Sequence, residues 1–164
     1  MSNYQEFYRR ISRPFRHSQR ACAVLRTLNQ TITRLMYVSY PFFLILSAWQ
    51  KGINWTWFLY VLVPAGGLLL VSLLRWLIAR PRPYEIEGIE ALISRKGKRD
   101  SMPSKHVFSS ALISLTIFSL YPIWGMVYLV LTVLLAKCRV VSGVHYPSDV
   151  LVSLILAYFM TLLY

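Results

Sequence analysis

The stretch "CRVVSGVHYPSDV", residues 138 to 150, sets Arg139, His145 and Asp149 close together in a chain that has only three histidines and six acids. Pro147 is suited to open a helix, because its fixed φ and missing N–H fit a first helical position. Asp149 then lies in the first turn, within reach of His145. A carboxylate on one imidazole nitrogen sets the tautomer and leaves the lone pair of the other nitrogen for a substrate. The trio therefore reads as an activated nucleophile beside a cation. Taken alone, it also reads as a histidine making an interfacial hydrogen bond near a helix-start aspartate.

Two further stretches add to it. "RWLIARPRP" at 75 to 83 brings Arg75 and Arg82, and with Arg139 these are planar forks of donors that suit phosphate oxygens. Each arginine by itself would equally snorkel at a membrane interface. In "MPSKHVFS" at 102 to 109, Pro103 starts a helix. The unsatisfied N–H groups around Ser104, Lys105 and His106 would face any anion at that end, and taken alone the same residues equally make an ordinary helix start capped by the serine. Two histidines and one aspartate fall short of the ligand set of a two-metal phosphatase, and the loop acids Glu85, Glu87, Glu90 and Asp100 lack metal-ligand spacing. Metal-free histidine chemistry without a cofactor is the better match.

The elements that must position these residues are membrane helices. The chain has 164 residues, 56% of them hydrophobic, with a mean hydropathy of +0.48. Uncharged stretches run over Leu35–Trp49, Trp55–Leu74 and Val150–Tyr164, and a longer one over Val107–Ala136. The last divides at Tyr121-Pro122, a helix stop followed by a favourable restart. The expectation is an all-α bundle of about five transmembrane helices, with Ser104–Leu120 and Ile123–Arg139 at the short end of the spanning range.

Residues 1–34 carry seven arginines against one acid, with apolar residues recurring at helical spacing from Ala21. They predict a basic amphipathic segment on an anionic membrane surface, ahead of a transmembrane domain over 35–164. Without an apolar core and small-residue cleavage site, the segment is not expected to be a signal peptide. The polar connection 79–106 predicts a solvated loop with a surface charge cluster at "RKGKRD". Cys22 and Cys138 predict neither a disulfide nor a zinc site.

Counting crossings puts the three motif stretches and the N-terminus on one face, with Lys51 the lone basic residue opposite. That asymmetry predicts a cytoplasmic face. The net charge of +12 sits at span ends rather than in a groove with interleaved aromatics, which excludes nucleic acid as a partner. A transporter is disfavoured because the spans lack ionisable residues. The apolar helix faces would serve lipid or a second subunit of a homo-oligomer equally.

Together the three stretches resemble the signature of the type 2 phosphatidic acid phosphatase (PAP2) superfamily, K-x6-R-P, P-S-G-H and S-R-x5-H-x3-D. Here they read Arg75-x6-Arg82-Pro83, Pro103-Ser104-Lys105-His106 and Cys138-Arg139-x5-His145-x3-Asp149. Arg75, Lys105 and Cys138 depart from the family's lysine, glycine and serine, and five spans are expected where many bacterial members have six.

The resemblance implies a metal-independent lipid phosphatase of a bacterial plasma membrane. His145 would attack phosphorus to form a phosphohistidine, with Asp149 orienting it. His106 would protonate the leaving oxygen and then activate water. Arg75, Arg82, Lys105, Arg139 and Ser104 would hold the phosphoryl oxygens. It implies phosphatidylglycerophosphate, phosphatidic acid or undecaprenyl diphosphate as the substrate. The competing reading, prompted by Lys105 and Cys138, is a catalytically inactive membrane protein that binds lipid phosphate.

Overall fold

In the computed structural model, which describes residues 3–85, 89–93 and 99–164, the described residues are helical apart from their connections. The order is α1 (Asn3–Arg16), α2 (Gln19–Lys51), α3 (Trp55–Ile78), a 3-10 turn (Pro83–Glu85), α4 (Lys105–Leu120), α5 (Pro122–Val141) and α6 (Pro147–Thr161). Pro122 and Pro147 stand in the first turns of α5 and α6 as expected, whereas Pro103 falls ahead of the N-cap Ser104, outside α4.

The amphipathic spacing from Ala21 belongs to the first part of α2, which runs unbroken through residues 34 and 35. Ser18 caps this helix by accepting from the Ala21 N–H at 3.2 Å. Its buried positions, Leu25, Asn29, Ile32, Met36, Ser39, Phe43 and Ser47, are spaced by three or four residues and so line one face. The separate N-terminal element is α1, which turns Tyr8 and Ser12 inward and leaves Arg9, Arg10, Arg13 and Arg16 exposed.

The centre of the bundle is α4. Every residue from Val107 to Ser114 is buried, and α4 packs against α2, α3, α5 and α6. Its polar residues are paired: Thr132 of α5 bonds the hydroxyls of Ser110 at 2.7 Å and Ser114 at 2.8 Å. Such interhelical bonds replace the hydrophobic drive that is weak between helices in lipid. The outside is the reverse of a soluble protein. Val38, Leu69, Trp76, Val130 and Leu151 stand exposed on the outer faces of α2, α3, α5 and α6, as a bilayer requires.

Three helices, α2, α3 and α5, are long and apolar enough to span a membrane, whereas α4 and α6 are shorter apolar helices. At about 1.5 Å per residue they reach only about 22–24 Å, and α4 meets protein rather than lipid on most sides. The protein is an integral membrane protein with an amphipathic first helix.

Candidate active site

One end of this bundle gathers the chemistry. Arg75 lies in the last turn of α3, which Ala79 terminates in the left-handed region at φ 44°. The prolines at 81 and 83 then keep the chain extended, since a residue before proline avoids the α region. Opposite, α5 ends at Val141 and reverses at Gly143, φ 74°, before α6 begins. A Cβ on Gly143 would lie 2.6 Å from the Tyr8 hydroxyl, so α1 packs directly on the turn that carries His145.

Nearly all of the predicted site residues are removed from water. Arg82, Ser104 and Asp149 are fully buried, Arg139 and His145 are 1% exposed, and Arg75 is 8% exposed. Lys105 and His106 are half-buried on the first turn of α4. His106 borders a narrow gap lined by Thr33, Met36 and Tyr37 of α2 and Leu135 of α5.

His145 and Asp149 do come together, but the nearest partner of the imidazole is another group. Nδ1 lies 2.8 Å from the carbonyl oxygen of Ser101, against 3.7 Å from Asp149 Oδ2. A carbonyl only accepts, so Nδ1 carries the proton and Nε2 keeps its lone pair. Asp149 is held by other donors: the Ser101 hydroxyl at 2.5 Å, the Tyr146 N–H at 2.9 Å and Arg80 Nη1 at 2.8 Å. Arg80 also stacks on the Tyr146 ring, 4.1 Å from its centroid. Burial lowers the His145 pKa to about 4; the nearby Arg82 and Arg139 charges act in the same direction, and Asp149 opposes them. The imidazole is neutral at physiological pH.

Arg75 and Arg82 meet at Asp100. Its Oδ2 accepts from Arg75 Nη2 at 2.6 Å and its Oδ1 from Arg82 Nε at 2.5 Å. Burial raises the Asp100 pKa, but bonds and charge from Arg82 and Arg75 outweigh it and hold the carboxyl below its ordinary value. Among the described residues, Arg82 Nη1 and Ser104 Oγ are buried here with no protein partner. Ser104 spends its backbone N–H on Ser153 Oγ at 2.8 Å instead of using its hydroxyl as a cap. Unmet buried donors are rare and costly, and these two suit an anion's oxygens.

Three contributors escaped the sequence reading. Asp100 belongs to the expected surface charge cluster and instead bridges two buried arginines; Arg99 of that cluster is exposed, and residues 95–98 lie outside the described residues. Arg80 lies within the first motif stretch but outside the motif positions, and Ser101 lies just ahead of the second motif. The arginine pair itself was the available signal for Asp100, because two adjacent buried cations require a counter-charge. Cys138 is clear of this cluster, packing with Leu25 and Leu92. Among the described residues no three His, Cys, Asp or Glu side chains group as metal ligands.

No curated protein sequence matches the chain. The crystal structure of the first transmembrane PAP2 type phosphatidylglycerolphosphate phosphatase from Bacillus subtilis is similar with a TM-score of 0.72 at 20% identity, over 99% of this chain and 87% of that one. The crystal structure of Aquifex aeolicus LpxE is similar with a TM-score of 0.65 at 20% identity, over 96% of this chain and 92% of that one. At such identity these likenesses concern the fold. The PAP2 superfamily model matches residues 54–164, the stretch that holds all three motifs, and the chain belongs to the PAP2 superfamily.

Proposed function

We propose that this protein is a metal-independent lipid phosphatase that hydrolyses a phosphate monoester or diphosphate at the buried polar end of the bundle. The observation that carries the reading is His145: a buried imidazole whose Nδ1 lies 2.8 Å from the Ser101 carbonyl oxygen, beside buried guanidinium groups. Nε2 attacks phosphorus in line, the P–O bond to the lipid breaks, and His106 gives its proton to the leaving oxygen. A water then loses a proton to His106 and attacks the phosphohistidine. The N–P bond breaks, phosphate leaves and His145 is restored. Arg75, Arg82, Arg139, Lys105 and Ser104 stabilise the charge on the transferring phosphoryl group.

A lipid substrate is supported by an apolar groove of about 110 Å³ lined by Tyr37, Tyr40, Pro64, Leu68, Phe108 and Leu112. It shares Tyr37, Ser109 and Ile113 with the gap at His106, so an acyl or polyprenyl chain lying there would bring its headgroup to the site. The bias of basic residues supports a cytoplasmic site, on the face that makes glycerophospholipids.

The test is phosphate release by detergent-purified protein from phosphatidylglycerophosphate, phosphatidic acid and undecaprenyl diphosphate in excess EDTA. Turnover is expected to survive chelation and to vanish in His145→Asn. No release from any of the three by folded protein would contradict the proposal and favour a lipid-phosphate-binding protein.

A further inference from the structure

Arg75 and Arg82 reach the site from different elements and place two positive charges side by side with little water around them. Left to themselves they would repel, and each guanidinium would be free to turn. Asp100 removes both freedoms. One carboxylate oxygen goes to each arginine, at 2.6 and 2.5 Å, and the Asp100 backbone carbonyl receives Arg82 Nη2 at 3.5 Å. Arg75 Nη1 is held in turn by the Pro103 carbonyl at 3.2 Å.

The consequence for Arg82 is directional. Its Nε and Nη2 are both engaged by Asp100, and the nitrogen left over, Nη1, is buried without a partner among the described residues. The Asp100 side chain itself is 34% exposed, so it approaches from the water side while the arginines lie deeper. The next residue ties the same segment to the nucleophile, since the Ser101 carbonyl meets His145 and its hydroxyl meets Asp149.

We propose that Asp100 is a positioning residue for phosphoryl recognition: it offsets one of the two guanidinium charges and locks the Arg82 fork so that Nη1 is presented to a phosphoryl oxygen. It does not touch the substrate. The inference rests on the function proposed above, and its test is separable from it. Binding of inorganic phosphate to full-length protein in detergent is measured by calorimetry, alongside kcat and KM for the best lipid, in wild type, Asp100→Asn and Asp100→Glu.

The expected result is weaker phosphate binding in Asp100→Asn and a loss of about a hundredfold in kcat/KM, carried mainly by kcat, with Asp100→Glu intermediate. Tighter phosphate binding in Asp100→Asn would overturn the proposal, because the carboxylate would then be occupying the phosphate's own place. Unchanged binding and kinetics in a folded variant would overturn it as well. Should Asp100→Asn fail to fold, Asp100→Glu keeps the charge and displaces it by one methylene, and wild-type kinetics in that variant would equally contradict the proposal. A wild type that binds phosphate but turns over no lipid would defeat the catalytic reading alone, and the binding comparison would still decide the role of Asp100.

Discussion

The two ends of the bundle are closed by opposite means. At the end where α4 meets α5, Phe43 gathers the rings of Tyr121 and Tyr128 at centroid distances of 5.5 and 5.8 Å, Tyr121 bonds Gln50 at 2.8 Å, and Lys51 lies over the Tyr121 ring. Gly125 lets α5 come so close that a Cβ would sit 2.2 Å from Phe118 Cα. At the other end, three arginines, a histidine and an aspartate are buried together. The aromatic end shows that these helices can be joined with hardly a charge. Burying ions is costly, and replacing them with apolar residues is often neutral or stabilising. The charged end therefore departs from what stability alone favours, as functional sites do.

The comparison is broken most severely by Arg82→Ala. It removes a guanidinium that the proposed mechanism sets against the phosphoryl oxygens, and one of the two arginines that hold Asp100. Activity should fall about 10²–10³-fold, and stability by about 3 kcal/mol, towards the low end for a buried pair because Asp100 is partly hydrated. Activity assays and thermal melts in detergent check both.

Placing the same small change at each end sharpens the contrast. Gly143→Ala forces a side chain into the left-handed region, costing about 1–2 kcal/mol, and pushes on Tyr8 beside the His145 turn, so kcat should drop about tenfold. Gly125→Ala overpacks the aromatic end by about 1–3 kcal/mol, while the activity of the folded fraction stays unchanged.

The pH dependence follows from His145. Its folded pKa is depressed to about 4 from an ordinary 6.5, so the imidazole stays neutral well below pH 6.5 and the proposed nucleophile is lost only as pH falls through about 4. Over the same interval the unfolded chain binds a proton that the folded one refuses, so His145 lowers stability as pH drops from 6.5 towards 4. A pH profile of kcat/KM should show no loss at pH 6.5 attributable to this imidazole, and denaturant melts should show the decline in stability. Cys138→Ser gives the smallest effect. Its side chain packs with Leu25 and Leu92 outside the site, so kcat/KM should not change although a buried hydroxyl costs about 1–3 kcal/mol of stability.

Much of this organisation is written in residue types. Pro122 and Pro147 announce helix starts, the uncharged stretches announce membrane helices, and the three motifs carry their family with them. Other parts are tertiary facts. Asp100 is recognisable as a counter-ion only once Arg75 and Arg82, 25 and 18 residues away, are known to meet at it. The anchor of His145 is a backbone carbonyl, which every residue possesses, so Ser101 leaves no mark in the sequence. The contact of Tyr8 with Gly143 joins residues 135 apart. The periodicity of α2 continues smoothly from a basic stretch into an apolar one, so composition changes where the helix does not.

The most direct test of the account is to look for the covalent intermediate. Rapid-quench experiments with phosphorus-labelled lipid phosphate should trap labelled protein whose linkage is stable in base and labile in acid, the behaviour of a phosphoramidate. The label should map to His145 and be absent from His145→Asn. Turnover by wild-type protein with no labelled species at any time, or with label on another residue, would contradict the claim that the buried end of the bundle works through a histidine nucleophile.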